Sequence, residues 1–210
     1  MAEQNLDRES RQVSGFTGLQ FKGVGKIELA QGDHDELVIE ALPEVRERIH
    51  TDVRDGTLVI YYESDWKDWT GLRILGGEKI LFRLMMRDIQ SLAISGVGSL
   101  DAAGINTSQL SISLSGPGTI TIGTVQANSL NISISGVGSI DLAGAVPDMN
   151  LVISGAGTVK ASRLETERSV VKLSGVGTAT LWVNQSLDTS ISGAGVVEYY
   201  GNPAITQSNS

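Results

Sequence analysis

The chain has no cysteine among its 210 residues, which excludes disulfides, thiolate metal sites and thiol nucleophiles. Basic charge is scarce as well. Against 24 Asp and Glu there are 16 Lys and Arg, giving a net charge of −8 with no basic run to offset it. Nucleic acid and anionic membrane both require clustered cations, so neither is an expected partner. No stretch approaches 18 consecutive apolar residues, so no transmembrane segment is read. There are two histidines, His34 and His50. Neither has a partner that the sequence identifies as the base or acid of a nucleophilic site.

What the chain has in quantity is glycine, 25 residues in all, and much of it is ordered. Ser-Gly-x-Gly occurs six times: at Ser95, Gly96 and Gly98; Ser115, Gly116 and Gly118; Ser135, Gly136 and Gly138; Ser154, Gly155 and Gly157; Ser174, Gly175 and Gly177; and Ser192, Gly193 and Gly195. A step of about 20 residues marks a stacked repeat, in which each unit buries its apolar side only against its neighbours. Two residues before each first glycine stand Ile94, Leu114, Ile134, Ile153, Leu173 and Ile191, and two after each second glycine Leu100, Ile120, Ile140, Val159, Ala179 and Val197. The row after those, Asp101, Thr121, Asp141, Lys160, Thr180 and Glu198, is polar. Period-two alternation of this kind reads as strands with one buried face.

Glycine at fixed corners permits positive φ and close backbone approach. The serine before it predicts a ladder of hydroxyls that satisfies N–H groups at the turn. An antiparallel sandwich of hairpins would also give the period, but like residues would not stack in register there. Coils of a parallel β-helix stack equivalent residues about 4.8 Å apart. The expected fold is therefore all-β, a right-handed parallel β-helix of about 20-residue coils.

Along the chain, residues 1–14 read as a loose polar segment, 15–90 as an N-terminal β region capping the solenoid, 91–200 as the regular β-helix and 201–210 as a flexible polar tail. Gly23-Val24-Gly25 looks like a degenerate seventh corner. Within the cap, 36–41 and 49–53 read as strands, 43–48 as a charged turn or helical turn, and Asp55-Gly56 as a hairpin turn. Residues 63–77 form an irregular insertion. Charge divides in the same way, with 17 acids and 12 bases in the first 90 residues against 7 and 4 afterwards.

Candidate sites are few. Gly-x-Gly at strand corners, with no following helix or Lys-Ser/Thr, is not a nucleotide loop. Asp101 and Asp141 lie two coils apart, about 9.6 Å, near the spacing of an inverting glycosidase pair. Lys160 and Thr180 beyond them make a solvated face the simpler reading. His34, within Gly32-Asp33-His34-Asp35-Glu36, reads as part of an Asp-rich turn before a metal ligand, so no metal or cofactor is expected. Trp66 and Trp69, with Tyr61 and Tyr62 nearby, either plug the end of the coil or contact a sugar ring or partner.

The Phe16-Thr17-Gly18-Leu19 segment, the corner at 23–29, Asp55-Gly56-Thr57-Leu58-Val59-Ile60 and the glycine array together resemble the auto-transporter adhesin head family, the GIN domain. The resemblance covers roughly residues 13–205. It implies a bacterial, exported, periplasmic or cell-surface β-helical head with adhesin-like binding or self-association, and it brings no catalytic residues. The polar start fits a chain whose leader has been removed. A non-enzymatic head is the first expectation, its partner a surface glycan, a protein or the chain itself. The alternatives are a polysaccharide-degrading β-helix enzyme and a structural homo-oligomer packed through flat sides such as Ser113, Ser133 and Val152.

Overall fold

The computed structural model describes residues 7–62 and 80–209, so Trp66 and Trp69 lie outside the described residues. In chain order the N-terminal elements are β1 (Asp7–Arg11), β2 (Gly18–Phe21), β3 (Val24–Gln31), β4 (Glu36–Ala41), α1 (Pro43–Arg46), β5 (Ile49–Arg54), β6 (Thr57–Tyr62) and β7 (Leu81–Met86). The array follows with β8 (Ser91–Ile94), β9 (Val97–Ala102), β10 (Ile105–Asn106), β11 (Gln109–Leu114), β12 (Pro117–Gln126), β13 (Ser129–Ile134), β14 (Val137–Ile153), β15 (Ala156–Leu173), β16 (Val176–Ile191), β17 (Ala194–Tyr200) and β18 (Ala204–Asn209). Together they form a β-solenoid of about six turns, stacked in parallel.

Three walls enclose one apolar column. The first wall precedes each corner and stacks Leu19, Leu92, Ile112, Ile132, Leu151 and Val171 in register. The second follows the corner and stacks Ile27, Leu100, Ile120, Ile140, Val159 and Ala179. All twelve side chains are buried. The column is mostly aliphatic, because β-branched and Leu side chains fit a narrow pleated interior. The three phenylalanines, Phe16, Phe21 and Phe82, are buried near the N-terminal end, where Phe21 and Phe82 meet edge to face at 5.2 Å.

The third wall is the short return, and it absorbs the uneven steps. Between β12 and β14 the offset changes from 20 residues at Ile122–Leu142 to 19 at Val125–Gly144. Gly144, at φ 124°, makes that adjustment against the Val125 backbone. Between β15 and β16 the register shifts again, from Ala161–Leu181 to Glu165–Trp182. Both shifts fall outside the first two walls, so the corner rows stay aligned.

At the corners the glycines serve close approach. None of the twelve has a positive φ. A Cβ on Gly116, Gly136, Gly155, Gly175 or Gly193 would fall within 3.0 Å of the carbonyl of the corner glycine one coil earlier. The hydroxyl ladder does not form as expected. Ser115 N and Gly116 N both donate to Ile94 O at 2.9 and 3.3 Å, and the Ser135, Ser154 and Ser174 corners repeat the arrangement. Stacked carbonyls already satisfy those donors. Of the six serines, Ser95 alone has a hydroxyl bonded to corner backbone, donating to Phe21 O at 3.3 Å.

The N-terminal region changes the pairing from parallel to antiparallel. β4 runs antiparallel to β7, β1 to β4, and β5 to β6. The β5–β6 turn uses Asp55 at φ 48° and Gly56 at φ 70°, the left-handed pair that a two-residue hairpin requires. The polar start is not wholly loose, since β1 pairs with β4 and its acids bind Arg46, Asp7 at 2.6 Å and Glu9 at 2.7 Å. The tail also differs from expectation, because β18 adds to the first wall beside β16.

Candidate functional site

Where the third wall turns into the first, the outer residues of β13, β14, β15, β16 and β18 line a groove of about 500 Å³. Register dictates its composition. One row runs Ser129, Asp148, Arg168, Ser186, Ala204, and the next accessible row Asn131, Asn150, Val170, Asp188, Thr206. Between them Leu130, Met149, Ser169 and Leu187 point inward and are buried. Alternation thus forces the outward side chains of successive coils into two parallel lines about 4.8 Å per step.

The groove carries one fixed ion pair. Arg168 donates to both carboxylate oxygens of Asp148, from Nε to Oδ1 at 2.7 Å and from Nη2 to Oδ2 at 3.0 Å. The guanidinium hydrogen bond holds the Asp148 carboxyl below its usual range. That fork is planar and oriented, so Arg168 keeps one geometry across the furrow. Beneath the rows, Thr166 Oγ1 donates to Trp182 O at 2.8 Å and lies 2.9 Å from Ser169 Oγ, which satisfies the buried hydroxyls at the bulge. The furrow therefore presents amides, hydroxyls, a neutralised pair and the exposed Asp188 carboxylate on a rigid β floor. Such a surface hydrogen-bonds an extended polyhydroxylated chain laid across the coils.

The sequence-selected residues lie elsewhere. Tyr62 is half-buried, its ring over Gly23, and donates from its hydroxyl to Val24 O at 2.9 Å. Burial pushes its phenol well above the ordinary value, so it remains a donor. Tyr61 stacks on His50 at 5.5 Å and donates to Asp52 Oδ2 at 3.0 Å. The eighteen corner residues form one continuous edge between the first two walls. Asp101 is paired with Lys26 and Asp141 with Arg163, each at 3.0 Å. His34 Nδ1 lies 2.6 Å from Asp33 Oδ1. Among the described residues no group of three acids or histidines is arranged to hold a metal. Asn131, Asn150, Asp148 and Arg168 were not singled out from sequence, although counting along the repeat puts Asn131 over Asn150 and Asp148 over Arg168.

A stacked, glycine-cornered β-solenoid is the class of protein that this fold defines, and one family of that class matches nearly the whole chain. Residues 15–203 match the family described as "Putative auto-transporter adhesin, head GIN domain". The chain belongs to that family. The crystal structure of a "putative adhesin" from Bacteroides fragilis superposes with a TM-score of 0.88 at 24% identity, over 99% of this chain and 93% of that one. A "putative lipid binding protein" from Parabacteroides distasonis gives 0.73 at 20%, over 98% and 94%. A "putative adhesin" from Parabacteroides merdae gives 0.71 at 17%, over 98% and 93%. At these identities the likeness is one of fold. No functionally curated protein matches the chain, and no described helix is long and apolar enough to cross a membrane.

Proposed function

We propose that this chain is a non-enzymatic head, exported or displayed at the cell surface, that binds an extended surface glycan along the groove between its third and first walls. The family supports an adhesin-like role. The observation that carries the choice of ligand is the in-register pair Asn131 and Asn150 beside the Asp148–Arg168 fork. Two amides one strand apart offer paired donors and acceptors to successive hydroxyls, and with the fork neutralised the remaining Asp188 carboxylate favours a neutral glycan over an anionic one. The enzyme alternative draws less support, because Asp101 and Asp141 are each tied to a cation on an open face.

The test is binding of the purified chain to an oligosaccharide array, followed by titration of any retained sugar. The Asn131→Ala, Asn150→Ala double variant should raise Kd at least about tenfold while leaving the circular dichroism spectrum unchanged. Retention of no glycan, or equal binding by the variant, would refute the groove reading. Trp66 and Trp69 with Tyr61 and Tyr62 stand as the second proposed contact, and a Trp66→Ala, Trp69→Ala variant on the same array separates the two regions.

A further inference from the structure

The two ends of the solenoid are finished differently. At the N-terminal end the walls finish on charged strands or on an edge met by a side chain. The second wall ends in β7, β4 and β1, the last carrying four charges in five residues, and the first ends in β6 and β5. The third wall ends in β10, whose backbone is met by a side chain: Gln31 Oε1 accepts from Asn106 N at 2.8 Å, and Gln31 Nε2 donates to Asn106 O at 3.0 Å. Charged edge strands and side chains on the edge backbone are the usual means of preventing strand addition.

The C-terminal end carries far less charge on its edge strands. β17 and β18 both pair with β16, and neither has a strand on its outer side among the described residues. Their thirteen residues hold a single charge, Glu198, in a chain of net charge −8. Val197 and Tyr199 continue the inward rows of Ala179 and Leu181, which are fully buried, yet Tyr199 is 44% exposed. Ile205 continues the row of Leu187 and is 47% exposed. The core thus reaches the surface in cross-section, framed by β17, whose outer edge meets no strand among the described residues.

We infer that two copies of this chain join end to end through this coil, with β17 of each pairing antiparallel across a two-fold axis. The strand's own composition selects a second copy. β17 is seven residues long with Val197 at its centre, so pairing over its full length sets Val197 opposite Val197. Tyr199 then lies opposite Gly195, where a ring covers a bare glycine, and Glu198 opposite Val196, which keeps the two carboxylates off each other. Inward side chains remain inward, so the two apolar columns become one. The low charge of this end also removes the repulsion that two acidic molecules would feel at their other surfaces. A foreign strand would satisfy one edge but leave Tyr199 and Ile205 uncovered.

Because the chain has no cysteine, a single introduced thiol reports the contact. The Val197→Cys variant should form, under mild oxidation, a species of twice the 22.2 kDa chain mass, since directly opposed residues are close enough for a disulfide. Ser10→Cys on the charged edge should not. Light scattering should give a dimer for the wild type and a monomer for Tyr199→Lys, Ile205→Lys, with the same thermal unfolding per chain. Should that double variant fail to fold, the thiol cross-link decides. A wild-type monomer overturns the inference and leaves the edge to a foreign strand; a dimer that survives the lysines without cross-linking at residue 197 overturns it by placing the interface elsewhere. Dimerisation and glycan binding fail separately, since the asparagine variants should leave the mass unchanged.

Discussion

From Ser91 onward each coil is held by the one before it through the same contacts: a serine and a glycine N–H on one carbonyl, a bare glycine under the next, an aliphatic side chain over another. Before Tyr62 the contacts are of mixed kind. Antiparallel strands, a left-handed hairpin, packed phenylalanines and a net of Arg11, Arg46, Glu9 and Asp7 surround the one parallel coil there, β2 and β3. The difference shows that repetition solves packing along an axis but supplies no ending, since a repeated edge only invites another copy. Ending the solenoid requires residues that break the rule, and the N-terminal region holds most of the charge for that reason.

The sharpest way to break the comparison is to put the same methyl group on a glycine of each kind. At Gly136 a Cβ would lie within 2.6 Å of the Ser115 carbonyl carbon, with backbone on every near side. Gly136→Ala should therefore cost about 3 kcal/mol or more, the upper end for overpacking, and should unzip neighbouring coils. Gly56 has a φ of 70° and nothing within 4 Å of its Cβ position. Gly56→Ala should cost only about 1 kcal/mol, the penalty of a left-handed alanine. Urea unfolding of both variants measures the gap, and equal losses would show that close approach is not what the corners require.

A smaller effect is expected at Tyr62, where the cap meets the degenerate corner. Tyr62→Phe keeps the ring over Gly23 and removes the hydrogen bond to Val24 O. About 1 kcal/mol should be lost, with glycan binding through the groove unaltered. A loss of binding without a loss of stability would instead assign the tyrosine to a contact surface.

Much of this was legible in the residues. The step of the glycines, the inward rows and Asp55-Gly56 each rest on local pattern, and the solenoid and hairpin follow from them. β1 was not legible, because Asp7-Arg8-Glu9-Ser10-Arg11 has no apolar face of its own and gains its strand from β4, some thirty residues away. The serine ladder was misjudged because hydrogen-bond demand at the corner is met by backbone that the sequence does not display. The groove escaped notice for a different reason. Counting back from the glycines aligns its rows, but they look like ordinary polar positions and nothing in the count shows that a furrow runs between them.

The smallest expected effect concerns pH, and it divides the two regions by window. At the N-terminal end Asp33, hydrogen-bonded to the ring, raises the His34 pKa above 6.5, with Glu36 at 3.8 Å adding to it. A raised folded value stabilises the protonated form, so this contribution is full below the unfolded pKa and fades as pH rises through the folded one. In the array Arg168 lowers the Asp148 pKa from 3.8. That contribution is full at neutral pH and is lost only as pH falls through the depressed value. Amide protection factors, taken relative to the intrinsic exchange rate at each pH from about pH 8 to pH 5, should accordingly rise around His34 while those of the β14–β15 coils stay unchanged, and His34→Gln should abolish the difference. An NMR titration of His34 at or below 6.5 would defeat the prediction, because a histidine without a raised pKa gives the cap no dependence that the array lacks.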